Sequence, residues 1–122
     1  MDKIILVLSK DITLEIQQMD TRWYRYNLKT KSEDIPIGGE WLSIFWEKLE
    51  KFLEEFNTHE IQKIKGIIAF AEPHSVICSQ KISATETLLQ FRDKENLILW
   101  EEKIDIEVIK NWLTQEKVFA LE

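Results

Sequence analysis

Trp41-Leu42-Ser43-Ile44-Phe45-Trp46-Glu47-Lys48-Leu49-Glu50-Lys51-Phe52-Leu53-Glu54-Glu55-Phe56 decides how the rest of the sequence is read. Leu42, Phe45, Trp46, Leu49, Phe52, Leu53 and Phe56 recur at three- and four-residue spacing, which puts them on one broad stripe of an α-helix. Glu47, Lys48, Glu50, Lys51, Glu54 and Glu55 fill the opposite side. The spacing predicts a helix from about Glu40 to Phe56, ended by Asn57-Thr58-His59, that must lay its aromatic stripe on a sheet.

Strand signals flank this helix. Ile4–Leu8 is a continuous apolar run. Ile12, Leu14 and Ile16 alternate with Thr13, Glu15 and Gln17, the period of a half-buried strand. Trp23-Tyr24-Arg25-Tyr26-Asn27-Leu28 is rich in strand-favouring aromatics. Short turns at Ser9-Lys10-Asp11 and Met19-Asp20 make an antiparallel meander the simplest pairing. Lys29–Gly39 carries Pro36 and the pair Gly38-Gly39 and reads as a loop. After the helix, Ile64–Phe70 and Ser75–Ile82 read as strands separated by Pro73. Leu88–Phe91 and Asn96–Trp100 form a hairpin across a polar loop, and Asp105 caps a last helix with the stripe Ile106, Ile109, Trp112 and Leu113. The expected class is α+β, mainly antiparallel, in the order β-β-β-α-β-β-β-β-α.

The 122 residues fit a single domain, residues 1–122, and no repeat or low-complexity stretch is visible in them. With 44% hydrophobic residues the protein has material for a core without staples. The lone Cys78 excludes an internal disulfide and a Cys-cluster metal site. Its apolar alternation with Val76 and Ile77 suits a small buried hydrophobe, in a protein expected in a reducing, cytoplasmic compartment. No apolar run reaches the ~18–20 residues of a membrane span, so membrane insertion is not expected. A net charge of −6 disfavours nucleic-acid binding and draws in a basic protein partner.

Three strands, a long helix and a further strand is an order that resembles the opening of RNase H-like and actin-like folds. The phrase Ile67-Ile68-Ala69-Phe70-Ala71-Glu72-Pro73-His74-Ser75-Val76-Ile77 is similar to the small-residue, Pro, Ser, Val-Ile phrase of pilus-assembly actin-like proteins. The resemblance covers about residues 1–82. It implies a domain that serves as an assembly scaffold. Actin-like proteins follow the first strand with Asp, Gly and small hydroxyl residues that cradle phosphate. Here Ser9-Lys10-Asp11-Ile12-Thr13 has no glycine, and an RNase H-like aspartate is missing from Ile4–Leu8. The resemblance therefore implies a scaffold without nucleotide chemistry.

No catalytic constellation stands out. His59 reads as a helix C-terminal residue and His74 as a loop residue after Pro73; neither has a zinc-ligand spacing. Asp11, Asp20 and Asp34 are explained by turn chemistry, although they and His74 are the residues an enzyme assembled from dispersed groups would draw on. Gly38-Gly39 lacks the spacing and lysine of a P-loop. No metal, catalytic residue or cofactor is expected. The candidate partner-binding residues are Trp23, Tyr24, Arg25 and Tyr26, because aromatics and arginine together mark protein interfaces. The leading expectation is a non-catalytic protein-binding module, an acidic immunity or inhibitor protein that neutralises a basic partner.

Overall fold

The computed structural model describes residues 3–58, 64–69 and 75–120, with side chains for 3–57 and 76–114. Its architecture is α+β, with two antiparallel four-stranded sheets and two helices. The first sheet is β1 (Lys3–Ser9), β2 (Ile12–Gln18), β3 (Trp23–Lys29) and β4 (Asp34–Trp41), followed by α1 (Leu42–Thr58). The second is β5 (Ile64–Ala69), β6 (Ser75–Lys81), β7 (Glu86–Asp93) and β8 (Ile98–Asp105), followed by α2 (Ile106–Ala120). Among the described residues each strand pairs with its sequence neighbours within its sheet and with no other strand. The order ββββα thus occurs twice, a repetition that residue identities conceal.

One strand more than expected precedes α1. Lys29–Gly39 is not a loop: β4 occupies most of it and pairs with β3 from Trp23↔Trp41 to Lys29↔Asp34. Pro36 is tolerated because β4 has no second strand partner and the register shifts beside it, between Tyr26 and Asn27. Gly38 has φ 152°, a backbone that L side chains rarely adopt. Glu40 lies in β4 rather than in the helix; it is buried, and its Oε1 accepts from the Trp41 amide at 3.0 Å. β8 also runs further than expected, through Glu101-Glu102-Lys103. Those charges fit an edge strand, paired on one side only.

The α1 stripe packs as its spacing requires. Phe45, Trp46, Leu49, Phe52 and Phe56 are all buried. Phe45 meets Tyr26 of β3 with ring centroids 5.0 Å apart, which fixes the inner face of the first sheet. Ile4, Leu6, Leu8, Leu14, Ile16, Tyr24, Leu28 and Ile37 fill the rest of that face. The same hydrophobic cluster continues into Ile77, Leu89, Phe91 and Ile104 of the second sheet.

The two halves interlock. α1 follows β4 and packs against β5 of the other half; α2 follows β8 and packs against β1. Asp105 caps α2, its Oδ1 accepting from the Glu107 amide at 2.8 Å. The Trp112 indole donates to the Val7 carbonyl of β1 at 2.9 Å. Lys81 of β6 donates to the Phe56 carbonyl at 2.7 Å and lies 4.8 Å from the Phe56 ring centroid, closing the last turns of α1.

Candidate functional site

Period-two alternation sends Tyr24 and Tyr26 to one face of β3 and Trp23, Arg25 and Asn27 to the other. Because α1 covers the Tyr26 side, Tyr24 and Tyr26 are core residues, 7% and 0% exposed. The expected patch of four residues is therefore split, and Tyr24 and Tyr26 are withdrawn from the partner-binding surface. Burial, with the Glu40 carboxylate next in effect and then Tyr24, pushes the Tyr26 hydroxyl far above its ordinary pKa and keeps it neutral. Trp23 is half-buried on the outer face and Arg25 is exposed there.

Two regions with different character share that outer face. The first is a charge ladder across all four strands: Lys3 to Glu15 at 3.0 Å, Glu15 to Lys29 at 3.9 Å, and Lys29 to Asp34 at 2.7 Å. The Asp34 hydrogen bond, aided by Glu15, raises the Lys29 pKa. The ladder is a solvated, self-satisfied surface.

The second region is a groove of about 290 Å³ lined by Gln17, Trp23, Arg25, Asn27 and the Gly38-Gly39 pair. Strand register explains it. Gln17 lies opposite Arg25 on β2, and Arg25 lies opposite Gly39 on β4. The row Gln17–Arg25–Gly39 ends in a residue with no side chain, and the groove opens there. Trp23 forms one wall by lying against Gly39: a Cβ on Gly39 would sit 2.5 Å from Trp23 Cζ2. Gly38-Gly39 is thus part of β4 rather than a loop end; Gly39 lies under the indole and Gly38 lines the same groove.

The rim continues the same chemistry. Trp41 is 43% exposed, and the Arg22 guanidinium carbon stands 5.5 Å from its ring centroid. Asp20 holds the β2–β3 turn, its Oδ1 accepting from the Arg22 amide at 3.1 Å and the Trp23 amide at 3.0 Å. Those backbone bonds, Trp23 first, lower the Asp20 pKa. On β1, Ile5 and Val7 are 53% and 58% exposed.

The remaining candidates have local explanations. Asp11 pairs with Lys31 at 3.4 Å and Asp34 with Lys29, so the three turn acids do not converge. Among the described residues no group of three His, Cys, Asp or Glu side chains is placed to hold a metal ion. His59 and His74 lie outside the described residues, as does the 70–74 part of the phrase that carried the actin-like resemblance. Cys78 is half-buried, and desolvation pushes its thiol pKa up despite the opposing charge of Arg92. No described helix is long and apolar enough to cross a membrane.

Sequence reasoning named Trp23 and Arg25 but missed Gln17, Asn27 and the glycine floor. The available signal was a Gly-Gly pair that register could set against an aromatic strand. Comparison with protein-family models, curated proteins and solved structures finds no match.

Proposed function

We propose that the protein is a non-catalytic protein-binding module of the cytoplasm, whose partner docks on the outer face of the first sheet around Trp23, Arg25 and Trp41. One observation carries this reading: that face leaves Trp41, Arg22, Arg25 and Met19 in solvent beside a half-buried Trp23. Trp, Met and Arg are the residues that protein interfaces concentrate.

Charge contributes at longer range. The net charge of −6 favours a partner of net positive charge, as an immunity or inhibitor protein would have. The exposed acids Glu47, Glu50 and Glu54 lie on α1, which packs on the opposite face of the sheet from Trp23. The aromatic face holds the complex, and the net negative charge of the whole protein, rather than a local acidic patch, favours a basic partner at longer range.

The test is recovery of the partner by affinity capture from the source cell, followed by binding measurements with Trp23→Ala. A hot-spot tryptophan contributes about 2 kcal/mol or more, so affinity should fall roughly thirtyfold while the variant stays folded. The association rate should drop steeply as salt rises. Unchanged affinity in a folded Trp23→Ala variant would refute the docking face.

A further inference from the structure

The groove over Gly38-Gly39 differs from the rest of its sheet in one respect. The neighbouring lysines and acids are zipped together, yet the side chains of Gln17, Arg25 and Asn27 make no hydrogen bond or ion pair among the described residues. Three polar groups with unused capacity thus line one small concavity walled by an indole.

Their chemistry restricts what fits. Arg25 is the single charged residue of the lining. Of the neighbouring cations, Arg22 stands over the Trp41 ring, 5.5 Å from its centroid, and Lys29 is tied to Asp34 at 2.7 Å; neither lines the groove. One free guanidinium matches one negative charge, and its planar fork matches the two oxygens of a carboxylate. A dianionic phosphate would call for more cations than the groove offers. The Gln17 and Asn27 amides each donate and accept, so they can pair with a peptide-like amide beside the carboxylate. The Trp23 face, with Met19 and Pro36 at the margins, gives an apolar wall for a short side chain. A volume of about 290 Å³ suits a single residue rather than a folded surface.

We infer that this groove is a binding pocket for a monoanionic carboxylate borne on a short apolar, amide-containing body. Arg25 takes the carboxylate, Gln17 and Asn27 pair with the amide, and the body lies on Trp23. The inference deepens the docking reading and rests on it: the pocket would anchor the partner through its terminal carboxylate or an acidic side chain.

The test uses small probes and the full-length protein, followed by the Trp23 indole N–H resonance in ¹H–¹⁵N spectra. N-acetyl-leucine represents a terminal carboxylate, the α-amide of N-acetyl-glutamate represents an acidic side chain, N-acetyl-leucinamide is the neutral control, and inorganic phosphate is the competing anion. At least one carboxylate probe should move the resonance saturably, with a dissociation constant of about 1 mM, the range for a ligand of roughly a dozen heavy atoms. Which probe binds tighter identifies the source. The neutral amide should bind at least tenfold more weakly. Arg25→Gln, a change at an exposed position, should cost the carboxylates at least tenfold, and Gly39→Ala should weaken them by crowding the floor.

Failure of both carboxylates to bind, equal binding of acid and amide, tighter binding of phosphate, or indifference to Arg25→Gln would each overturn the pocket. Partner affinity keeps the two readings apart. If the probes fail but Trp23→Ala still abolishes partner binding, the docking face stands without a carboxylate anchor. If the probes bind but the partner ignores Trp23→Ala, the pocket stands and the docking face falls.

Discussion

Gly39→Ala tests the close approach that shapes the groove. A Cβ at position 39 would lie 2.5 Å from Trp23 Cζ2, 2.7 Å from Cε2 and 2.8 Å from Nε1. Carbon atoms pack at about 3.5–4.0 Å, so the indole must retreat by roughly 1 Å or more. The contacted atoms are consecutive members of one rigid bicyclic ring, so the whole indole has to swing. Overpacking of this kind costs about 1–3 kcal/mol. Replacing a strand glycine by alanine returns roughly 0.5–1 kcal/mol through reduced backbone entropy. The net expectation is a destabilisation of about 1–2 kcal/mol, read as a lower urea midpoint at unchanged slope. Trp23→Ala removes the obstructing ring. In that background Gly39→Ala should stabilise by about 0.5–1 kcal/mol, because only the entropic gain survives. The double-mutant cycle therefore yields a change of sign and a coupling of about 2 kcal/mol. The same sign in both backgrounds would refute the close contact of Trp23 with Gly39 and, with it, the account of the groove.

Three further outcomes follow from the packing and the buried groups. Phe52→Ala, at a position 6% exposed, should lower stability by roughly 3–5 kcal/mol in denaturant titration; a loss below about 1 kcal/mol would mean the α1 stripe is not core. Stability should fall above about pH 10: the unfolded state ionises Tyr26 there while burial keeps the folded hydroxyl protonated, so the folded state binds the extra proton and loses about 1.4 kcal/mol per pH unit. Tyr26→Phe should flatten that alkaline limb in urea titrations between about pH 9 and 11, whereas an unaltered limb would assign it to other groups. Trp112→Phe keeps an aromatic ring but removes the donor to the Val7 carbonyl and part of the buried indole volume, and should cost about 1–3 kcal/mol with faster amide exchange in β1.

Much of this fold is legible from local chemistry, and the illegible parts share a cause. The α1 stripe, the alternation of β2 and the Asp105 cap depend on residues close in sequence, so periodicity finds them. β4 is hidden because Pro36 and Gly38-Gly39 are read as breakers, when an edge position and an aromatic neighbour make all three acceptable. β8 is hidden by Glu101-Glu102-Lys103, whose charges reflect an open edge rather than a loop. At the site, alternation alone separates Trp23 and Arg25 from the two tyrosines, but only the position of Phe45 decides which pair faces solvent. The pocket depends on the row Gln17–Arg25–Gly39, a fact of register across three strands that no single segment encodes.

The crossing of the halves has a consequence for how the protein acquires its structure. Both sheets are meanders, so every hairpin closes over a short loop and can form early at low entropic cost. The helices behave otherwise. α1 needs β5, and β1 needs α2, whose Trp112 reaches a carbonyl 105 residues earlier in sequence. During vectorial synthesis the first strand is therefore made long before the indole that bonds to it. Until α2 arrives, β1 is an edge strand whose Val7 carbonyl lacks its indole donor, beside Ile5 and Val7 side chains that stay exposed throughout, which places the window for misassembly before the last helix docks.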